Sequence, residues 1–395
     1  MNSPAILTRE AHRISRRGIA PEALKVLYRL HRHGFLAYLC GGCVRDLLLG
    51  IKPRDFDIVT DAHPQQIRHL FRNSRIIGRR FRLVHVLFTD EIIEVATFRR
   101  TPPAAPAGMD EKEARIWLNN AFGTPEEDAF RRDFTVNGLY YNIADFSVLD
   151  YVGGLEDLRA GMIRMIGEPE RRILEDPVRM LRALSLSARL KFRVQPELFL
   201  AILRHKGEIR DTSPSRLLEE FLKIIRSGAS APVFAFLKET GLLPLIFPFL
   251  APVAETDEYD RFLASLGSVD RDIREGHHFE EPVLVGILYF PAVLAASRDR
   301  SASALHQASE EIFTVQTDAF FPRAWRHEMQ SLLTAWPKLQ APPQRNRRLT
   351  ERSYFHDALD FARVVAEGWP ETGKHLGQWK TFARGHRIKG VRRTL

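Results

Sequence analysis

Two aspartates separated by one residue, Asp55 and Asp57, are the first side chains whose types and spacing could do chemistry. The apolar residues Phe56 and Ile58 alternate with them, which indicates the start of a strand whose side chains point to opposite faces in turn. Both carboxylates would then share one face of the sheet. Carboxylates at this spacing can bind a hard divalent cation such as Mg²⁺, which prefers oxygen ligands. Because Asp-x-Asp also occurs in ordinary charged turns, the pair needs support from other features.

A candidate phosphate loop and a third carboxylate supply that support. Gly41 and Gly42 stand between an apolar run and a helix that carries Arg45, an arrangement that presents backbone N–H groups and a helix N-terminus to an anion. Glu94 lies between two apolar residues of a further strand, where burial of a carboxylate is costly unless it meets a cation or a partner. A phosphate loop followed by three such carboxylates suits phosphoryl transfer assisted by two metal ions.

The elements that must position these groups predict a mixed α/β head. Four short apolar runs are typical of strands: 35–40, 56–59, 81–88 and 92–98. Helical spacing of apolar residues predicts helices at 21–33 and 44–49, and a proline-rich stretch at 100–127 predicts a long loop. From residue 168 onward strand signals nearly vanish and helices that begin at prolines follow one another. The predicted architecture is an α/β head followed by an all-helical body.

Composition excludes several classes of protein. The chain of 395 residues is 45% hydrophobic and 27% charged, the balance of a folded globular protein. Its longest apolar stretches, 241–253 and 282–296, contain prolines and are shorter than the roughly 20 residues of a membrane helix, so no membrane partner is expected. Two cysteines and the lack of a secretory-signal pattern predict a reducing, cytoplasmic location.

The charge distribution favours a polyanionic partner. Lys and Arg number 58 against 49 Asp and Glu, which gives a net charge of +9 and a pI near 9.7. Residues 341–395 hold 12 basic and 5 acidic residues, and from Lys380 onward there are six basic residues and no acidic one. A concentrated basic segment of this kind is typical of nucleic-acid binding.

Four ordered motifs over about 140 residues carry a family resemblance: GGCVRDLLLG at 41–50 with DFDI at 55–58, EVATFR at 94–99, RRDFTVN at 131–137 and EDPVRMLR at 175–182. Together they resemble the class II tRNA nucleotidyltransferases and bacterial poly(A) polymerases, which have the polymerase-β-type nucleotidyltransferase fold. The resemblance is dense to about residue 228 and thin afterwards. It implies Mg²⁺-dependent transfer of nucleotides from a triphosphate to RNA 3′ ends without a nucleic-acid template.

Under this resemblance the catalytic positions are Asp55 and Asp57, as ligands of a two-metal site, together with Asp133 in the third motif. Glu94 matches the supporting strand carboxylate. Asp133 and Asn137 are four residues apart, so on a helix they would share a face.

Seven residues match the family's nucleotide-binding positions: Gly41, Gly42 and Arg45 in the loop, Arg132 in the third motif, and Asp176, Arg179 and Arg182 in the fourth. The last three match the protein template that reads the edge of the incoming base. One departure occurs three residues further on, where Ser185 stands in place of the arginine that the family usually has.

The segment Ile76–Val86 resembles the signature that separates bacterial poly(A) polymerases from CCA-adding relatives. The residues at 122–128 and the arginine-rich C-terminal region also resemble the poly(A) enzymes. The predicted function is therefore addition of AMP from ATP to RNA 3′ ends, with release of pyrophosphate. The alternatives are a CCA-adding or A-adding tRNA nucleotidyltransferase and, from another class, an inactive RNA-binding protein on the same scaffold.

The same resemblance and the composition shifts predict four parts of the chain. They are a catalytic head at 1–167, a helical neck for base and RNA binding at 168–228, a helical body at 229–340 and an RNA-binding tail at 341–395.

Overall fold

The structure is a computed structural model that describes residues 3–78, 82–101, 121–315 and 321–385. The chain divides into two compact units: a head unit of Met1–Arg172 with Phe192–Leu198, and a helical unit of Ile173–Lys191 with Phe199–Leu395. Most of the predicted loop at 100–127 and the last ten residues of the basic tail lie outside the described residues.

The described part of the head unit is built around an eight-stranded sheet. Its strands are β1 (Ala5–Leu7), β2 (Ala37–Cys40), β3 (Ile58–Thr60), β4 (Ser74–Ile77), β5 (Leu83–Leu87), β6 (Ile92–Thr97), β7 (Leu139–Asn142) and β8 (Val148–Asp150). Their spatial order is β1-β8-β7-β2-β3-β6-β5-β4. Neighbours run antiparallel except β3 and β6, which are parallel. The four predicted strands correspond to β2, β3, β5 and β6.

Four of the five helices in the described part of the head pack against one face of this sheet. The head contains α1 (Pro21–Arg32), α2 (Gly42–Leu49), α3 (Pro64–Leu70), α4 (Pro125–Arg131) and α5 (Gly154–Ala160). Helix α1 begins with a proline, whose fixed φ suits the first helical position, and its buried residues recur at helical spacing. They pack with apolar side chains of the central strands, such as Ile58 and Val95, into the main core of the head. A smaller cluster that includes Val59 and Tyr140 occupies the other face.

The described residues from 169 onward form helices and their connecting turns, together with one short strand. Its helices are α6 (Pro169–Glu175), α7 (Val178–Leu190), α8 (Pro196–His205), α9 (Pro214–Ile225), α10 (Ser230–Thr240), α11 (Leu243–Ile246), α12 (Asp257–Arg274), α13 (Glu281–Ala296), α14 (Ala302–Val315), α15 (Arg323–Leu339), α16 (Phe355–Gly368) and α17 (Leu376–Gly385). The strand, β10 (Arg193–Val194), pairs in parallel with β9 (Met162–Ile163) in the head unit. The predicted fold class, an α/β head followed by a helical body, is confirmed. Within the described ranges no helix is both long and apolar enough to span a membrane.

A buried aspartate joins two helices of the helical unit. Helix α10 has no side-chain cap from the residue that precedes it. Instead Asp270 of α12 accepts hydrogen bonds from the backbone N–H groups of Ser230 at 2.7 Å and Ala231 at 2.9 Å. Asp270 is only 3% exposed, so these bonds satisfy N–H groups at the start of α10 that water does not reach.

We expect Asp270→Ala to lower the free energy of unfolding by about 2 kcal/mol, because it leaves buried N–H donors without their acceptor. Guanidinium denaturation followed by circular dichroism measures the change. Asp260→Ala, which removes an exposed carboxylate from the same helix, is the matched control. Equal effects of the two substitutions would contradict the capping role.

Candidate active site

The candidate phosphate loop connects β2 to α2 through Gly41. This residue has φ +75°, a conformation that glycine adopts far more readily than other residues. A Cβ atom at Gly41 would also lie 3.1 Å from Nη1 of Arg132. The backbone N–H of Gly41 donates to the carbonyl of Leu139 at 3.2 Å, which ties the loop to β7. Glycine at this position therefore allows both the turn and the close approach of a cation to the loop.

Arg45 lies against the inner side of this loop. Only 3% of its side chain is exposed. Its Nε donates to Oδ1 of Asp46 at 2.8 Å and its Nη1 donates to Oδ1 of Asn137. A Cβ atom on Gly42 would meet Nη2 of Arg45 at 3.4 Å. The guanidinium thus supports the start of α2 from its buried side. Contact between Arg45 and a triphosphate stays a prediction.

The expected shared helical face of Asp133 and Asn137 is wrong. Helix α4 ends at Arg131, and a separate 3-10 helix covers Thr135–Asn137. The structure places Asp133 half-buried between them, with its backbone carbonyl accepting from the N–H of Ile166 at 3.0 Å. Asn137 instead contacts Arg45, so the third motif reaches the phosphate loop through its amide.

Arg132 is held beneath the loop by two residues that were not among the predicted site residues, Asp128 and Tyr140. Its Nη2 donates to Oδ2 of Asp128 at 3.0 Å, and its Nε donates to the hydroxyl of Tyr140 at 3.0 Å. That hydroxyl donates in turn to Oδ2 of Asp128 at 2.9 Å. The four-residue spacing of Asp128 and Arg132 is a signal for the ion pair. The contribution of Tyr140 depends on sheet topology, which local spacing does not reveal.

The paired aspartates stand directly before β3, at the edge of the loop. Phe56 and Ile58 are buried in the main core, so the predicted alternation is confirmed and the exposed Asp55 and Asp57 belong to the other face. The backbone N–H of Cys40 donates to the carbonyl of Asp57 at 3.1 Å. This bond extends the β2–β3 ladder and places Asp57 opposite the residue that precedes the glycine loop.

Negative charge accumulates around Asp57. The parallel register pairs Ile58 with Val95, so the preceding residues, Asp57 and Glu94, are neighbours on adjacent strands. Asp57 reaches solvent, but the protein around it reduces its hydration. This loss of hydration, followed by the negative charges of Asp55 and Glu94, raises the pKa of Asp57 to about 6. A bound cation would relieve this repulsion.

Glu94 is not a buried carboxylate, so the expectation drawn from its apolar neighbours is wrong. Its side chain is 51% exposed, and its Oε1 lies 3.2 Å from Nε2 of His85 on β5. The adjacent Ile93 and Val95 are buried because they point to the other face of the sheet. Glu94 therefore shares the face of Asp57 without the desolvation cost that the sequence suggested.

The carboxylates fit a magnesium site that substrate completes. Among the residues that the structure describes, no three or more His, Cys, Asp or Glu side chains form a preformed metal cage. Mg²⁺ is commonly held by one or two carboxylates together with water and substrate phosphates. Asp55 and Asp57, exposed beside an anion-binding loop, match that pattern.

The fourth motif lies in the helical unit, where Asp176 precedes α7. Its Oδ2 accepts from Nη2 of Arg216 at 2.7 Å. Its Oδ1 is buried and has no hydrogen-bond partner among the described residues. A carboxylate oxygen in this state can accept a hydrogen bond from a ligand at little further desolvation cost.

The two predicted base-reading arginines lie three residues apart on α7. Arg179 is 9% exposed and its Nη1 donates to Oε2 of Glu175 at 3.3 Å. Nε of Arg182 lies 3.4 Å from Oε1 of Glu220. The opposite side of α7 is buried, and Ser185 is half-buried one helical turn beyond Arg182. The structure brings the head residues together in one unit and these residues together in the other.

Two family models match the chain. Residues 37–164 match the poly A polymerase head domain, and residues 191–253 match a probable RNA and SrmB-binding site of polymerase A. The first match contains the loop, the aspartates and the third motif, whereas the fourth motif falls between the two matches.

Named relatives agree with these matches. The chain is 51% identical to poly(A) polymerase I of Salmonella typhi over 247 residues, which cover 62% of this chain and 53% of that protein. It is 35% identical to the CCA-adding enzyme of Bacillus subtilis over 266 residues, 64% of this chain and 65% of that protein. The chain thus spans about half the length of the poly(A) polymerase relative that it matches.

A solved structure with the same fold is that of the Bacillus stearothermophilus CCA-adding enzyme in complex with CTP. The TM-score is 0.66 at 26% identity, with 93% of this chain and 82% of that chain covered. The chain is therefore similar to proteins of two kinds, the bacterial poly(A) polymerases and the CCA-adding enzymes.

We expect Asp46→Ala to destabilise the protein by about 3 kcal/mol, because it removes the carboxylate from a buried ion pair and leaves the Arg45 guanidinium out of water. Thermal unfolding measures the loss. Glu22→Ala, which removes the acid of the exposed Lys25–Glu22 pair, should cost less than about 1 kcal/mol. A loss for Asp46→Ala as small as that control would show that the pair does not support the loop.

Proposed function

We propose that this protein adds AMP from ATP to RNA 3′ ends, without a nucleic-acid template and with Mg²⁺ as cofactor. The observation that carries the proposal is the position of Asp57, one ladder bond from the phosphate loop. The 51% identity to a protein named poly(A) polymerase I, against 35% to a CCA-adding enzyme, favours polyadenylation over CCA addition. A cytoplasmic location in RNA processing is part of the proposal, supported by the low cysteine content and the bacterial relatives.

The proposed reaction is an in-line displacement at the α-phosphorus of ATP. The O3′ atom of the RNA forms a bond to this phosphorus, and the bond from the phosphorus to the oxygen that bridges to the β-phosphate breaks. Pyrophosphate leaves and the proton of the 3′-hydroxyl is lost to solvent. Little covalent chemistry falls to the protein, so catalysis consists of positioning and charge stabilisation.

The head unit would hold the triphosphate. The loop at Gly41 and Gly42 offers the first N–H groups of α2, which have no acceptor within the helix. Arg132 beneath Gly41, and Arg45 beneath Gly42, add positive charge close to the loop backbone. Asp133, which follows Arg132, completes the proposed nucleotide-handling motif.

Asp55 and Asp57 would hold Mg²⁺, with Glu94 as the supporting carboxylate. When bound, the ion would neutralise charge on the transferred phosphoryl group. The raised pKa of Asp57 fits this role, since loss of hydration is its first cause and the second, repulsion by Asp55 and Glu94, is one that a cation would remove.

The helical unit would select the base. Adenine presents an amino group and a ring nitrogen on one edge, which match a carboxylate acceptor and a guanidinium donor. Asp176 has a buried oxygen without a partner, and Arg179 is held by Glu175 on a helix with a buried opposite face. Arg182 would add a further base-reading side chain one helical turn beyond Arg179, and Ser185 follows one turn later.

Incubation of the pure protein with Mg²⁺, a generic RNA or a trimmed tRNA, and ATP or CTP separately tests the proposal. Long A-tails on the generic RNA with ATP are the expected product. Addition of C from CTP, or of a single A from ATP, to the trimmed tRNA alone would support the CCA-adding or A-adding alternative. No product with any substrate would support an inactive RNA-binding protein.

We expect Asp55→Ala and Asp57→Ala each to reduce transfer below about a hundredth of the wild-type rate, since each removes charge stabilisation at the reacting phosphoryl group. Thermal unfolding and RNA binding should change little, because both side chains are exposed. Asp90→Ala, at an exposed acid in the β5–β6 turn, should retain full activity. Transfer well above a hundredth in either active-site variant would remove the two aspartates from the metal site.

Arg179→Ala should weaken the preference for ATP over CTP by about 1–3 kcal/mol, roughly 5- to 150-fold, because one side of the base edge loses its donors. The ratio of kcat/KM for the two nucleotides measures it. Arg210→Ala, an exposed arginine of the same unit, is the control. An unchanged ratio would mean that α7 does not read the base.

Ser185→Arg should raise fidelity or turnover if that position makes a contact in the family.

Tyr140→Phe should raise the KM for ATP about 2- to 10-fold with a small change in kcat, because loss of the hydroxyl removes its hydrogen bonds with Arg132 and Asp128 and lets Arg132 shift beneath the loop. Steady-state kinetics measure the effect. Tyr141→Phe changes the adjacent buried tyrosine and should leave KM unaltered. The same KM change in both variants would assign it to general loosening of the sheet.

A further inference from the structure

Four arginines of the basic segment at 341–395 lie together in the helical unit, outside both segments that match family models. A cavity of about 500 Å³ is lined by five basic residues: Lys338, Arg345, Arg347, Arg348 and Arg352. We propose that this basic cavity binds the phosphates of a single RNA strand. The inference rests on the proposed function only in that RNA is the polymer that the enzyme would extend.

The local backbone explains how these residues come to line one cavity. Helix α15 ends at Leu339, and two short 3-10 helices, Pro343–Arg345 and Arg347–Glu351, turn the chain immediately afterwards. The side-chain amide of Asn346 donates to the carbonyl of Lys338 at 3.2 Å, which joins the turn to the end of α15. The basic residues therefore extend from a backbone with fixed turns.

A buried tryptophan anchors the same turn from below. Trp379 of α17 is fully buried, and its indole N–H donates to the carbonyl of Ala341 at 2.9 Å. Leu349, between the basic residues in sequence, is also buried and lines the cavity floor. A cavity supported in this way is pre-organised, which lowers the entropic cost of binding.

The charges in the cavity lack internal compensation. Within the described ranges, no carboxylate oxygen lies within 4.0 Å of the basic groups of these five residues. Other arginines of the unit, such as Arg216, Arg271 and Arg363, do form such pairs. Glu351 is exposed and is not among the residues that line the cavity. Five cations without counter-charges repel one another, and a polyanion relieves that repulsion.

The size and the remaining lining favour a nucleic-acid strand over a single small anion. A cavity of about 500 Å³ exceeds what one phosphate requires and fits a nucleotide-sized segment. Tyr354 lines the cavity and is half-buried, so its ring could stack on a base beside the phosphates. Arginines placed along the phosphates of a nucleic-acid strand, with an aromatic ring between them, are typical of single-strand binding without sequence preference.

The test removes three charges from the cavity by the triple substitution Arg345→Gln, Arg347→Gln and Arg348→Gln. All three side chains are exposed, so the fold should persist. The matched control removes three exposed charges elsewhere in the same unit by Arg210→Gln, Arg298→Gln and Arg323→Gln. Binding of a labelled, unstructured single-stranded RNA is measured by fluorescence anisotropy without ATP or Mg²⁺, over a series of salt concentrations.

We expect the cavity variant to bind RNA about tenfold or more weakly at low salt than the control variant does. Each phosphate contact on a single strand contributes about 0.7 to the slope of log affinity against log salt, so three lost contacts should lower the slope by about 2. Equal affinity and slope in the cavity and control variants would overturn the proposal. Weaker binding of inorganic tripolyphosphate with unchanged RNA binding would also overturn it, since the cavity would then be a small-anion site.

Transfer activity separates this inference from the proposed function. Addition of the first AMP at saturating RNA should proceed at the wild-type rate in the cavity variant, because the proposed chemistry belongs to other residues. A wild-type protein that binds RNA through the cavity but adds no nucleotide would contradict the proposed function and leave the inference standing. If the wild-type protein is active and the two variants bind RNA equally, the inference about the cavity fails and the proposed function stands.

Discussion

The candidate active site depends on one backbone hydrogen bond, from the N–H of Cys40 to the carbonyl of Asp57 at 3.1 Å. It extends the antiparallel ladder between β2 and β3 to the point where the two chains diverge. On one side the chain turns through Gly41 into a helix N-terminus that attracts anions, and on the other it carries carboxylates that attract cations. A triphosphate with a bound metal ion needs both features side by side: N–H groups for its phosphate oxygens and carboxylates for the cation.

Two buried arginine networks keep the loop in place on its inner side. Arg45 is fixed by Asp46 and Asn137, and Arg132 is fixed by Asp128 and Tyr140. Such networks contribute little net stability, because the attraction between the charges repays their desolvation. These networks instead fix the position of each guanidinium, because its hydrogen bonds hold it beneath the loop.

The sequence predicted which face a residue occupies better than what covers that face. The alternation of Asp55 and Asp57 with Phe56 and Ile58 is confirmed because period two follows from strand geometry alone. The burial of Glu94 is wrong because its apolar neighbours report on the opposite side of β6, and no local pattern shows that its own side stays open. Contacts such as Tyr140 with Arg132 join segments whose proximity only the sheet order creates.

The most direct test of the account is anomalous diffraction from crystals soaked with Mn²⁺ and a non-hydrolysable ATP analogue. We expect manganese peaks within about 2.2 Å of the carboxylate oxygens of Asp55 and Asp57, with the triphosphate on the N-terminus of α2 and its oxygens completing the metal coordination. The same soak without the nucleotide should give weaker peaks, because two carboxylates alone are an incomplete site. A bound triphosphate whose metal lies away from both aspartates would contradict the account.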